Sequence, residues 1–196
     1  MTEPPPVVPC RVILVGMMGS GKTTVGRLLS EATGWPYVDN DELVRRHSGT
    51  TAREVLAEGG EERLREVESA ALALGLDLAP PVIVGVAAGT VLDPRNRSRM
   101  DAAGIVVWLR AATQTLVSRA GDAAHRPFID RGGAAWMAET AAEREPLYAA
   151  VADVTIDTGT STPDESAHAI RSYLEQAGVC SDAPSPSSTG WTQGPP

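Results

Sequence analysis

Phenylalanine occurs once, at Phe128, and aromatic residues make up only 4% of the 196-residue chain. The core must therefore be aliphatic and alanine-rich, drawn from the 42% of residues that are hydrophobic. Cysteine is also scarce: Cys10 and Cys180 stand near opposite ends, with no C-x-x-C pair and no His/Cys pairing at ligand spacing. A disulfide framework and a structural zinc site are thereby excluded. Positive charge is in deficit, with 17 Lys and Arg against 25 Asp and Glu, a formal charge of -8 and a pI near 4.9. Such a balance argues against nucleic acid and acidic membrane surfaces as partners, since both call for a basic face. No segment approaches the roughly 18 apolar residues of a transmembrane helix. Met1 to Pro9 carries Glu3 and a proline run rather than the basic and apolar stretches of a secretory signal, so a soluble, cytoplasmic protein is expected. The length suits one domain.

Short apolar runs are present, and they alternate with helical patterns. Val12 to Val15 is continuously apolar and ends in a glycine turn, as a strand buried on both faces would. Val25, Leu28, Leu29 and Ala32 then recur at helical spacing from Lys22 to Thr33, and Gly34 stands where a helix-terminating glycine belongs. Further strands are expected at Trp35 to Asp39, Pro81 to Val86, Ile105 to Leu109 and Val154 to Ile156. The alternation implies an α/β fold, a mostly parallel sheet covered by helices on both faces. Asp41 to Leu76 holds more helix than one crossover requires, which suggests a helical insertion. Gly121 to Gly133 mixes glycines with basic residues without periodicity and reads either as a mobile lid or as a solvated loop. Beyond Gly178 the composition turns to Pro, Ser, Gly and Thr, as in a disordered tail.

The strongest chemical signal is Gly16-Met-Met-Gly-Ser-Gly-Lys-Thr23, a full match to G-x-x-x-x-G-K-[ST] between the first strand and the first helix. Glycines let the backbone approach a phosphate closely enough for successive N–H groups to ring it, and the helix N-terminus favours the negative charge. Lys22 then supplies a point charge to the outer phosphates, and Thr23 a hydroxyl to Mg²⁺. Asp39-Asn-Asp41 follows the second strand, where parallel sheets collect ligand groups. Asp41 can take a proton from an attacking hydroxyl while Asp39 orders Mg²⁺ through its water shell. Helix capping by Asn40 or Asp41 is the alternative. Arg65, Arg119, Arg126 and Arg144 offer planar forks for carboxylate or phosphate, although each alone also reads as a surface residue, Arg65 having Glu61, Glu62 and Glu68 at helical spacing.

Taken together the motifs resemble the shikimate kinases, small P-loop kinases related to the nucleoside monophosphate kinases. The resemblance spans roughly Val12 to Leu174. It rests on the Gly16 to Thr23 loop, Asp39-x-Asp41, Gly60-Glu-x-x-x-Arg65-x-x-Glu68, Arg126-Pro127, and Glu143-Arg-x-Pro-Leu-Tyr148 followed by Ala152-Asp-Val-Thr155. It implies a P-loop kinase three-layer sandwich with a five-stranded parallel sheet over residues 11–177, preceded by an extension at 1–10. A helical substrate-binding insertion is expected at 41–76, a mobile lid at 120–134 and a disordered tail at 178–196.

The implied activity is ATP- and Mg²⁺-dependent phosphorylation of a small carboxylated acceptor, shikimate to shikimate 3-phosphate, by a monomer. Gly16, Gly19, Ser20, Gly21, Lys22, Thr23 and Thr24 would hold the nucleotide phosphates. Arg119 and the Thr160 to Pro163 loop, with Pro163 at its end, would flank adenine. Thr23 and Asp39 would serve the metal. Asp41, Arg65 and Arg144 would bind the acceptor, the arginines at its carboxylate, and Arg126 would neutralise the transferring phosphoryl group. The acceptor wall departs from the family pattern: Ala87-Ala-Gly89 stands in place of a triple glycine, and Leu56 and Leu64 in place of phenylalanines. These methyls narrow the pocket and, wherever a positive φ is needed, strain the turn by about 1 kcal/mol or more each. A related cyclitol, sugar acid or hydroxy acid is the alternative acceptor, and a non-catalytic nucleotide-binding regulator the alternative of a different class.

Overall fold

The computed structural model describes residues 10–121 and 132–178. Five strands, β1 (Arg11–Val15), β2 (Tyr37–Val38), β3 (Val82–Gly85), β4 (Ile105–Arg110) and β5 (Val154–Asp157), form one parallel sheet in the order β2-β3-β1-β4-β5. β1 lies at the centre, with Val12 opposite Ile83 on one side and Ile105 on the other. All five of its residues are buried, which is why its sequence shows no polar alternation.

The period of two along the strands separates the core into two layers. Ile13, Val15, Val84, Val106 and Trp108 face helices α3 (Ala52–Leu76), α4 (Pro94–Ala103) and α6 (Gly133–Val151) through Leu64, Leu72, Met100, Met137 and Tyr148. Val12, Leu14, Ile83, Val107 and Leu109 face α1 (Lys22–Thr33) and α7 (Pro163–Gln176) through Val25, Leu29, Ile170 and Leu174. The three-layer α/β sandwich expected from the alternation is thus the observed architecture. No helix among the described residues is long and apolar enough to cross a membrane.

Several boundaries shift for local reasons. The second strand is confined to two residues because Asp39 already caps α2 (Asn40–Ser48), its carboxylate accepting the backbone N–H of Asp41 at 3.1 Å. The capping residue is therefore Asp39, not Asn40 or Asp41. The insertion begins at Asn40, and its second helix, α3, is started by a Thr51/Glu54 capping box and bent at Gly60, whose φ of 71° lies outside helical space. Helix α5 (Thr113–Gly121) and helix α6 take up both ends of the lid expected at 120–134. The remainder of that segment, Arg126 included, lies outside the described residues, as do the extension at 1–9 and the tail from 179. Cys10, buried just before β1, is disulfide-bonded, a single crosslink rather than a framework.

Arg11 joins the layers at the amino end of the sheet. Its guanidinium donates to the carbonyls of Ala103 (2.8 Å), the last residue of α4, and of Leu78 (2.7 Å), two residues beyond α3. The Ala103 carbonyl has no partner within its own helix. Replacing it by an apolar side chain of similar length, Arg11→Met, is expected to lower stability in urea denaturation by about 2 kcal/mol or more. Substrate KM values should be unaffected, because the residue lies at the opposite end of β1 from the glycine loop.

Candidate active site

The chain leaves β1 through a loop that only glycine can build. Gly16, Gly19 and Gly21 have φ of 145°, 80° and 92°. A Cβ on Gly16 would lie 2.5 Å from the carbonyl oxygen of Leu109, and one on Gly19 2.8 Å from that of Leu116. Gly21 caps α1 without a side-chain hydrogen bond, so the first N–H groups of that helix have no partner from the cap and point into the loop. Ser20 Oγ is buried and lacks a hydrogen-bond partner among the described residues. Lys22 is the only lysine in the chain, and its ammonium donates across the loop to the carbonyls of Gly16 (2.8 Å) and Met17 (3.0 Å). Thr23 and Thr24 follow in the first turn of α1, Thr24 exposed. Ring, charge and helix end together suit a polyphosphate.

Beside the loop, Oδ2 of Asp39 accepts the hydroxyl of Thr23 at 2.8 Å and that of Tyr37 at 2.6 Å, while Oδ1 carries the cap. One oxygen of this carboxylate thus carries the cap and the other the two hydroxyls. Burial, with the Asp39 charge second, pushes the Tyr37 phenol above its ordinary value, so it stays a neutral donor. Among the described residues no three His, Cys, Asp or Glu side chains gather as a metal cage. The donors present are a hydroxyl and a carboxylate, hard oxygens that fit Mg²⁺ completing its octahedron with phosphate and water.

Glu68, which closes the Gly60 to Glu68 motif and to which the sequence assigns no role of its own, lies at the centre of a cluster of charges. It is 7% exposed and accepts Nη1 of Arg65 at 2.5 Å. Burial raises its carboxyl above the ordinary carboxylate range; Arg65 and Arg144 oppose that rise and Asp41 adds to it. The fold therefore brings Asp41, Arg65 and Arg144 within electrostatic reach of one buried carboxylate. Arg144 is itself 8% exposed, its Nε without a hydrogen-bond partner among the described residues. Its guanidinium is pulled below the usual arginine value by burial, Tyr148 opposing and Arg65 adding to the shift. Glu68 thus pairs directly with Arg65 and lies within electrostatic reach of Arg144.

The wall beside this clamp explains which glycine was kept. A Cβ on Gly89 would overlap the Arg65 guanidinium, and the residue's own φ is -86°, so Gly89 serves space and not an unusual backbone conformation. Ala87 is buried and Ala88 half-buried, and the carbonyl of Ala88 accepts the Tyr148 hydroxyl at 2.7 Å. Tyr148, which closes the Glu143 to Tyr148 motif without a role of its own in the sequence, is fully buried and stacks on Trp108 at 5.8 Å between centroids. Its position four residues after Arg144, on one helical face, was the available signal. Leu56 and Leu64 are buried in the core layer on the α3 side. On the far side of the loop, Arg119 donates to the Thr158 carbonyl at 2.8 Å, and the Thr158 hydroxyl donates to the carbonyls of Ser20 (3.0 Å) and Arg110 (3.1 Å). Pro163 opens α7 after a Thr162/Glu165 capping box.

Protonating Glu68 would release Arg65 from its partner. KM for a carboxylated acceptor should therefore rise as the pH falls through the raised pKa of Glu68, somewhere above the ordinary 4.5. In Glu68→Gln the starting KM should be higher and this pH dependence absent, as initial-rate measurements across pH will show.

The family model for shikimate kinase matches residues 18–175. Shikimate kinase of Symbiobacterium thermophilum is 38% identical over 172 residues, covering 85% of this chain and 97% of that protein. That of Moorella thermoacetica is 36% identical over 172 residues, covering 86% and 98%. Among solved structures, shikimate kinase from Acinetobacter baumannii in complex with shikimate superposes with a TM-score of 0.81 at 28% identity, covering 87% of this chain and 94% of that one. A match of this extent makes the chain a member of the shikimate kinase family.

Proposed function

We propose that this chain carries out the activity of its family, transfer of the γ-phosphoryl group of ATP to a hydroxyl of shikimate, at the carboxyl edge of the sheet. The observation that carries the reading is the pairing of a glycine-built loop holding the sole lysine with a two-arginine clamp around buried Glu68. The loop N–H groups and Lys22 take the polyphosphate, and Arg119 and Pro163 flank the base. Thr23 and Asp39 would hold Mg²⁺, which would offset the negative charge of the phosphates. Arg65 and Arg144 bind the acceptor's carboxylate, which turns its hydroxyl toward Asp41. The hydroxyl oxygen forms the new bond to phosphorus as the bond to the ADP oxygen breaks, and the hydroxyl proton passes to Asp41. Arg126 supplies positive charge to the phosphoryl group in transit. Catalysis rests on positioning and charge neutralisation, with no covalent intermediate on the protein. A regulator that only bound nucleotide would have no use for a buried carboxylate holding an arginine clamp.

ADP release coupled to NADH oxidation should depend on both shikimate and Mg²⁺. Release no higher than the ATPase background would overturn the assignment. Lys22→Met should lower kcat by about 100-fold or more. Arg144→Met should raise KM for shikimate while leaving KM for ATP close to its original value.

A further inference from the structure

Tyr37 binds neither nucleotide nor acceptor in the reading above, yet the structure makes room for it at two separate places. Gly26 lies inside α1, where alanine would be the better helix former, and Gly85 lies in β3, where glycine weakens a strand. Neither has a positive φ. A Cβ on Gly26 would overlap the edge of the Tyr37 ring, and a Cβ on Gly85 would lie 2.5 Å from the Tyr37 hydroxyl. Two elements thus stay bare where the ring passes between them, and the ring's direction is set before its hydroxyl makes any bond.

That hydroxyl donates to Oδ2 of Asp39 at 2.6 Å, and the same oxygen accepts the Thr23 hydroxyl at 2.8 Å. Oδ1 is occupied by the backbone N–H of Asp41. Every bond to the carboxylate therefore restrains one rotamer. With its proton committed to Asp39, Thr23 presents its lone pairs elsewhere, as a hydroxyl that ligates a cation must.

We propose that Tyr37 is a positioning residue for the metal: it locks Asp39 so that the Thr23 hydroxyl is oriented as a ligand for the divalent cation that accompanies the nucleotide. The inference rests on the assignment of Thr23 and Asp39 to the metal, and its test separates the two. Mn²⁺ binding to the complex of the whole protein with ADP is followed by electron paramagnetic resonance, without acceptor and without turnover. Tyr37→Phe keeps the ring between the two glycines and removes only the hydroxyl. It should weaken Mn²⁺ binding about tenfold, and raise the Mg²⁺ concentration needed for half-maximal shikimate phosphorylation in proportion. Metal-free ADP affinity and KM for shikimate should stay as in the unsubstituted protein.

Asp39→Asn should also weaken Mn²⁺ binding, and adding Tyr37→Phe to it should weaken binding no further, because the tyrosine acts through the carboxylate. Unchanged Mn²⁺ affinity in Tyr37→Phe alongside a weakened Asp39→Asn would overturn the role of Tyr37 and leave the metal assignment standing, as would additive effects in the double variant. Unchanged affinity in Asp39→Asn would overturn the metal assignment and the inference together. A lower melting temperature for Tyr37→Phe with unaltered Mn²⁺ affinity would reduce the residue to packing and likewise reject the proposal.

Discussion

Burial of β1 on both faces, hydrogen-bonded to β3 on one side and β4 on the other, is the constraint on which the rest of the structure depends. A strand in that position cannot fray or slide, because a one-residue slip would exchange its two core layers. Its carboxyl end is therefore a fixed point, and the glycine loop departs from it. The neighbouring strands end at the same edge: β2 leads into Asp39 and Asp41, β3 into Ala87 to Gly89, and β4 into the segment that bears Arg119. Parallel pairing brings these loops together although they are distant in sequence.

Around Glu68, two arginines and a second carboxylate, Asp41, lie within electrostatic reach of one another. Arg65 and Arg144 repel one another, and burial disfavours the charge on Arg144. Glu68 pairs with Arg65 and offsets part of the cost of burying Arg144. Gly89 belongs to this arrangement because it leaves the space through which Arg65 passes. The nearby Ala88 carbonyl is held by Tyr148. On the nucleotide side one carboxylate ends β2, caps α2 and binds Thr23, so the start of a helix and the placement of a hydroxyl are one event.

Much of this was legible in the sequence because it is local. The apolar run of Val12 to Val15, the helical spacing that follows, the terminating glycine at Gly34 and the spacing from Gly16 to Thr23 each depend on backbone sterics or hydrophobic period over a few residues. They are found as the pattern requires. Asp41, Arg65 and Arg144 were readable as candidates through their motifs. The burial of Glu68, which shares the motif of Arg65, and the part played by Tyr37 were not, since a glutamate three residues from an arginine and a tyrosine in a strand look the same whether they face solvent, core or a site.

The amino-acid order alone thus determined the alternation of strands and helices, the conformation of the phosphate loop and the residue types available to it, because those follow from short-range sterics and burial. Only the tertiary structure decided that Glu68 would be buried between two arginines, that Gly26 and Gly85 would stay bare for one tyrosine ring, and that Asp39 rather than its neighbours would be the cap. Each depends on which surfaces meet when parallel strands pair across tens of residues, and desolvation and close approach exist only once those surfaces are in contact.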